Sequence, residues 1–482
     1  MIIVLKRILK MIKKFIYLIL FTILPAFISL AQDERKPNII VIFTDDQGYE
    51  DVGVFGARNF KTPHLDKMAE EGIQLTSFYA AQAVCSASRA ALLTGSYSNR
   101  VGIHGALMPG SKIGLNQSET TLPEMLKSNG YRTAIFGKWH LGDHPDFMPT
   151  KHGFDEYFGI PYSNDMWPFH PQQGNGFDFG PLPLYQNAEI IDTLTDQTNL
   201  TVTLTNKSVA FIEENKDQPF FLYLAHPQPH VPLFVSEKFK GKSEKGLYGD
   251  VVMEIDWSVG QILEELKIHD LDEQTLVIFT SDNGPWLSYG DHSGSAYPLR
   301  EGKGTAWEGG QRVPCLIRFP NRIPAGKVVD IPMMTIDILP TIAAITGSKL
   351  PQNTIDGKNI WPILCGESNT SPHEAYYFYY HVNELHAVRY GDWKLYFPHN
   401  YRSLNGRTGG KNNIPMDYKN FFVKEIELYH LGRDLSESKN VAAQNPQVVE
   451  KIRILADKMR TELGDKLTGT TGTGNRLPGK VE

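Results

Sequence analysis

The chain has 482 residues, 41% of them hydrophobic and 21% charged, a balance that suits a globular protein of one large domain and a smaller one, or of two to three ordinary domains. The formal net charge is -6 and no long basic run lies beyond the N-terminus, so nucleic acid has no electrostatic footprint here. Three cysteines, Cys85, Cys315 and Cys365, are an odd and low count that excludes a disulfide framework.

In chain order, Lys6, Arg7, Lys10, Lys13 and Lys14 precede an apolar stretch from Phe15 to Ala31, and Ser29-Leu30-Ala31 has the small-x-small form of a cleavage site. Residues 1–31 are expected to be a signal peptide, with the mature chain exported to the periplasm or secreted and not stably inserted in a membrane. The alternative is an uncleaved anchor, against which Pro25 and the short apolar run both argue.

Residues 32–350 alternate buried-strand and helix patterns. Continuous apolar runs occur at 38–43, 132–136, 220–225 and 275–280, as expected of strands covered on both faces. Between them, Thr121-Leu122-Pro123-Glu124 is a capping box for a helix that Gly130 closes, and residues 249–267 carry Val252, Ile255, Val259, Leu263 and Leu266 at helical spacing. The pattern predicts an α/β fold with a large, mostly parallel sheet sandwiched by helices. Cys315 falls in another strand pattern, 312–317, and reads as a core residue; a bridge to Cys365 has nothing to support it.

Polar residues follow each of these strands at once: Asp45-Asp46, then Lys138 and His140, then His226 and His230, then Asp282-Asn283. Ligands of open α/β sheets bind outside the carboxyl ends of the strands, so these motifs are expected to converge on one site. Taken singly, each could be a helix cap or a turn. Asp45, Asp46, Asp282 and Asn283 offer only oxygen, which suits a hard divalent cation, Ca²⁺ or Mg²⁺, rather than Zn²⁺. Cys85 opens the helix-forming run Ala90-Ala91-Leu92-Leu93 and is expected at a helix N-terminus, where free amides favour an anion.

Residues 351–465 read differently. Short aromatic strands at 376–380, 387–397 and 427–429 predict a small antiparallel sheet, packed with one helix whose stripe is Val448, Val449, Ile452, Leu455 and Met459. Residues 466–482, rich in Gly and Thr, are expected to be a flexible tail.

Five motifs in fixed order give a specific resemblance: Phe43-Thr44-Asp45-Asp46-Gln47-Gly48, Cys85-Ser86-Ala87-Ser88-Arg89 with Leu93-Thr94-Gly95, Gly137-Lys138-Trp139-His140, Ser281-Asp282-Asn283-Gly284, and Gly302-Lys303-Gly304-Thr305-Ala306-Trp307-Glu308. Together they resemble the type I formylglycine-dependent sulfatases, arylsulfatase A-like, of the alkaline phosphatase superfamily, over about residues 37–465. Ala87 stands where many members carry proline, and Ser96 where many carry Arg or Lys. The resemblance implies an alkaline-phosphatase-like fold and a Cys85 oxidised to formylglycine by a separate maturation enzyme. It implies one Ca²⁺ per chain, ahead of Mg²⁺, held by Asp45, Asp46, Asp282, Asn283 and the modified Cys85. Arg89, Lys138, His140, His230 and Lys303 would act around the sulfate, with Ser163 positioning the site and His226 as a neighbour.

The long loop expected over 164–190 makes Trp167 a candidate substrate contact, and the segment 397–402 adds His399 and Arg402. The substrate expected is a sulfated glycan or oligosaccharide, or an aryl sulfate. Two other readings stand beside this one: a phosphate or phosphonate monoester hydrolase of the same superfamily, and a non-catalytic, metal-stabilised glycan-binding protein that keeps the Cys85 thiol.

Overall fold

All four apolar runs are strands in the computed structural model, which describes residues 1–12, 35–172, 174 and 176–482. The apolar stretch from Phe15 and the expected cleavage site lie outside the described residues. Met1–Lys36 is one compact unit, helical over residues 2–12, and Pro37–Glu482 is another. Among the described residues, no helix is long and apolar enough to cross a membrane.

The main sheet contains β1 (Asn38–Thr44), β2 (Ile73–Leu75), β3 (Arg132–Lys138), β4 (Glu156–Ile160), β5 (Leu182–Gln186), β6 (Glu189–Leu194), β7 (Phe220–Ala225), β8 (Thr275–Ser281), β9 (Cys315–Arg318) and β10 (Lys327–Val329). Their order is β10-β2-β9-β8-β1-β7-β3-β4-β5-β6. The centre, β8-β1-β7-β3-β4, is parallel throughout. Antiparallel pairs flank it at β8·β9 and β4·β5. Every residue of β1, β7 and β8 is buried, the physical counterpart of their unbroken apolar runs.

Side chains alternate across the sheet. On one face, Ile39, Val41 and Phe43 share a core with α2 (Cys85–Thr94), α3 (Leu122–Ser128) and α6 (Ile338–Thr346). On the other, Ile40 and Ile42 meet α1 (Pro63–Glu70), α4 (Leu200–Glu214) and α5 (Leu247–Ile268). The capping box on α3 is present, with Glu124 N–H donating to Thr121 and Thr121 N–H to Glu124. A smaller antiparallel sheet follows, β11 (Tyr376–Tyr380), β12 (Glu384–Tyr390), β13 (Trp393–Tyr396) and β14 (Glu427–His430), packed by Ile452, Leu455 and Ala456 of α7 (Pro446–Leu463).

Two expectations give way. The stretch 164–190 is not one loop, because Leu182–Gln186 and Glu189–Leu194 form a hairpin beside β4, with Asn187 at φ +55° in its turn. The segment from 466 is docked rather than frayed: Gly479–Lys480 pairs with Ile113–Gly114, and Arg476 donates to both oxygens of Glu119 at 2.6 and 2.8 Å. Those partners lie more than 350 positions away in sequence, so local composition carries no sign of them. Cys315 and Cys365 are both free, Cys315 within the core as expected.

The strand ends are in step. Phe43 is level with Thr280 and with Ala225, and Ala225 with Gly137. Gly137 has φ +121°, and a Cβ there would lie 1.9 Å from the Ala225 carbonyl oxygen. Gly137→Ala is therefore expected to destabilise the fold by about 3 kcal/mol or more, read as a shifted urea midpoint at unchanged m-value.

Candidate active site

Helix α2 starts at the sheet's carboxyl edge, and Cys85 is its first residue. Val84, the N-cap, is extended and offers no side-chain cap, so the first-turn amides face the site without one. All ten residues of α2 are buried, and Gly95, at φ +63°, ends it. The Cys85 thiol donates to Asp45 Oδ1 at 3.5 Å. Burial, and then the charge of Asp45, push that thiol up, which keeps it protonated and a weak nucleophile as it stands.

Charged side chains from the strand ends surround it. Arg89, one turn along α2, donates to Asp282 Oδ2 through Nη2 at 2.8 Å and Nε at 3.2 Å, and its Nη2 lies 3.5 Å from Asp45. Lys138 bonds to Asp45 and, at 3.1 Å, to Ser163. Lys303 reaches Asp46 at 2.8 Å, and its ammonium sits 4.5 Å from the centre of the Trp286 ring. Burial would raise the Asp45 pKa, but Lys138, His230, Arg89 and Lys303 outweigh it and hold the carboxyl well below its usual range. Burial, reinforced by the charge of Asp45, pushes Asp282 the other way despite Arg89. Asp46 and His140 both sit at φ +61°, a left-handed backbone in which residues other than glycine are uncommon.

The two histidines differ in what their ring nitrogens can do. A carbonyl only accepts, so His140 Nε2, 3.0 Å from the Leu107 oxygen, carries its hydrogen. His140 Nδ1 is then a free lone pair, buried and without a partner, and burial with Lys138 and Arg89 holds the ring neutral. His230 Nδ1 faces the Val231 oxygen at 2.5 Å and its Nε2 faces Asp46 at 3.5 Å, so both nitrogens look toward acceptors.

Sequence comparison agrees with this arrangement. A family profile described as Sulfatase matches residues 37–348. The chain belongs to the sulfatase family. A second profile, the C-terminal region of aryl-sulfatase, matches residues 371–473, and another, N-sulphoglucosamine sulphohydrolase, C-terminal, matches 302–396. Human arylsulfatase A is 37% identical over 451 residues, 87% of each chain. The N-acetylgalactosamine-6-sulfatase of Canis lupus familiaris is 38% identical over 445 residues, 87% of this chain and 84% of that one. Among solved structures, Ps i-CgsB in complex with k-i-k-neocarrahexaose superposes with a TM-score of 0.75 at 31% identity, covering 88% of this chain and 93% of that one. The protein is a sulfatase enzyme, and its helix-flanked, mostly parallel sheet is the alkaline-phosphatase-like fold of its relatives.

The sulfatase carries a group suited to a metal ion. Asp45, Asp46, Cys85 and His230 each place one ligand atom within 4.8 Å of the others. Asn283 donates to Asp46 at 2.7 Å through its amide nitrogen, while its Oδ1 is buried without a partner. An orphaned carbonyl oxygen beside two carboxylates fits a hard cation. Asp282, expected as a ligand, stands next to this group with one oxygen turned to Arg89.

A cavity of about 230 Å³ opens over Cys85, lined among others by His140, Ser163, His230, Lys303 and Arg402. Three expected substrate contacts are absent from its lining. His226 is buried against α5, 3.2 Å from Ser258, and burial pushes its pKa down to about 3. Trp167 is a core residue whose indole N–H donates to the Leu194 carbonyl at 2.8 Å. His399 stacks on His386 at 3.9 Å, because it lies three positions from Arg402 on one strand and so on the opposite face. Arg402 does line the cavity and donates to the Lys303 carbonyl at 2.7 Å. Trp286 was missed, although it lies just past the Asp282-Asn283 motif; so was Asp165, inside the stretch expected to be a long loop.

Adding a divalent cation is expected to raise the melting temperature, and Asp46→Ala to remove that rise. Calorimetry with and without a chelator reads both; at 100-fold excess over Kd the wild-type gain is about 2.7 kcal/mol.

Proposed function

We propose that this sulfatase removes sulfate from a sulfated carbohydrate through a formylglycine made from Cys85. The observation that carries the reading is the placement of Cys85: buried at an uncapped helix N-terminus, against Asp45, among Lys138, Lys303 and Arg89. A sulfate ester is an anion and needs that positive surround. A thiol would form an adduct hard to clear, whereas an aldehyde hydrate has a second hydroxyl with which to release sulfate.

The residues divide the work as their geometry allows. One hydroxyl of the hydrate attacks sulfur and passes its proton to Asp45, the carboxylate the Cys85 side chain already faces, while the bond from sulfur to the alcohol oxygen breaks and His230 supplies the proton the alcohol needs. His140 Nδ1 then takes the proton of the other hydroxyl, the carbon–oxygen bond to sulfate breaks, and the aldehyde re-forms. Lys138, Lys303 and Arg89 face the charge throughout, and Ser163 fixes Lys138. Asp45, Asp46, Asn283 and the modified Cys85, with Asp282 beside them, would hold one hard divalent cation, suited by an all-oxygen set rather than Zn²⁺, and Ca²⁺ ahead of Mg²⁺ by the family resemblance. A cation there supplies charge neutralisation and polarises the ester oxygens.

Carbohydrate is favoured over a bulky aryl group by relatives named for N-acetylgalactosamine and for a carrahexaose complex. The cavity is smaller than the roughly 300–1,000 Å³ clefts of drug-sized ligands, which suits a single sugar unit. Conversion of Cys85 calls for a maturation enzyme as partner, and the basic, apolar N-terminus for export to the periplasm or outside the cell.

Mass spectrometry of the Cys85 peptide, from protein made with the maturation enzyme, is expected to show sulfur replaced by aldehyde oxygen. An intact thiol in active enzyme would sink the mechanism. Cys85→Ala should abolish sulfate release from 4-nitrophenyl sulfate, and the wild type should hydrolyse that ester faster than 4-nitrophenyl phosphate. His230→Ala is expected to lose about 10²–10⁴-fold in rate on alkyl sulfates and much less on aryl sulfates, whose leaving groups need no proton.

A further inference from the structure

The turn after β4 brings two polar side chains to the cavity, and they are treated differently. Ser163 accepts from Lys138 at 3.1 Å on the sulfate side. Asp165, two residues on, also lines the cavity and is only 7% exposed, and its Oδ1 has no hydrogen-bond partner. A buried carboxylate oxygen without a donor is costly, and native proteins keep few of them.

The turn itself is fixed. Met166 N–H donates to the Ser163 carbonyl at 3.1 Å, and Trp167 N–H to that of Asp165 at 2.8 Å. Asn164 donates to the Pro232 carbonyl at 3.1 Å and accepts from Gln197 at 3.0 Å, tying the turn to the segment that carries His230. Asp165 is therefore held in place at the cavity wall with one carboxylate oxygen buried and unpaired.

Its charge is out of keeping with its neighbours. The other strongly charged groups lining the cavity, Lys303 and Arg402, are cations, and the rest of its lining includes Phe177, Phe179 and Trp286. A carboxylate beside a sulfate site repels the ligand unless the ligand itself presents donors to that carboxylate. A sugar does so: its ring hydroxyls stand next to the ester oxygen, and its apolar C–H face suits aromatic walls.

We propose that Asp165 is a specificity-determining residue that accepts hydrogen bonds from the ring hydroxyl next to the sulfate ester, selecting sulfated sugars with that hydroxyl free. This rests on the carbohydrate reading above. A site built to bond a hydroxyl discriminates strongly against an analogue lacking it.

The test compares wild type, Asp165→Asn and Asp165→Ala on three probes. The first is whichever monosulfate of galactose or N-acetylgalactosamine the wild type turns over faster. The second is its deoxy analogue lacking the neighbouring hydroxyl, and the third is 4-nitrophenyl sulfate. For both variants, kcat/KM on the sugar is expected to fall about 10-fold to 100-fold, and on 4-nitrophenyl sulfate less than about threefold. The wild type should disfavour the deoxy analogue and the variants should not. Equal losses on sugar and aryl sulfate, or variants that still discriminate against the deoxy analogue as the wild type does, would overturn the assignment of Asp165 while leaving the carbohydrate reading standing. Sulfate release from the aryl ester but from neither sugar would overturn both.

Discussion

Opposite charges buried together at one edge of a parallel sheet constrain the rest of this molecule. Asp45, Asp282, Arg89 and Lys138 have no exposed side-chain surface. Taking one such ion out of water costs about several kcal/mol even after relaxation, against a total folding stability of about 5–15 kcal/mol. The site is tolerable because each of these carboxylates touches a cation, Asp282 with Arg89 and Asp45 with Lys138. That pairing depends on register. A slip of β1 by one residue would send Asp45 to the opposite face, leaving Lys138 without its carboxylate and Arg89 with Asp282 alone. The glycine at 137, the level strand ends and the full burial of α2 all serve to keep these groups aligned.

The main chain of this logic is legible in the sequence, because it is built from local signals that repeat. Unbroken apolar runs mark β1, β7 and β8, and the polar residue after each run marks the edge where a site forms. Arg89 needs only the helix that Ala90 to Leu93 announce. What the sequence does not show depends on contacts between distant segments. His226 follows a strand as His230 does, yet it meets Ser258 on α5, and nothing near it in sequence tells the two apart. Trp167 sits in a stretch rich in Gly, Pro and aromatics that reads as a binding loop, but a buried carbonyl at Leu194 takes its N–H. His399 and Arg402 are separated by strand parity, which becomes visible only once 399–403 is known to be a strand. The docked tail depends on Glu119 and on Ile113–Gly114, far back in the chain.

The C-terminal sheet belongs to the site as much as the strand ends do. Lys303 rides on a loop whose backbone this sheet and the neighbouring pair of strands hold: Lys394 and Tyr396 donate to the Ala306 carbonyl at 2.8 and 3.0 Å, and Arg402, on the two-stranded pair, to that of Lys303. Trp307 stacks on Tyr396 at 4.1 Å. Glu308, with no exposed surface, pairs with Lys394 at 2.7 Å and Arg312 at 3.2 Å, and the charge of Lys394, then of Arg312, overcomes burial to pull its pKa down to about 2. A boundary near 350 therefore marks a change of composition and not a seam in stability, since cutting there would strand Glu308 without Lys394. It also separates two kinds of constraint. The groups around Cys85 are locked by charge pairing across β1, β3 and β8, and change in one unbalances the others. Asp165, Phe177, Trp286 and Arg402 come from turns and an outlying hairpin, where a substitution disturbs no such pairing. Chemistry at the sulfate can thus stay fixed while recognition of what carries it varies, which is how one scaffold comes to serve relatives named for different sulfated substrates.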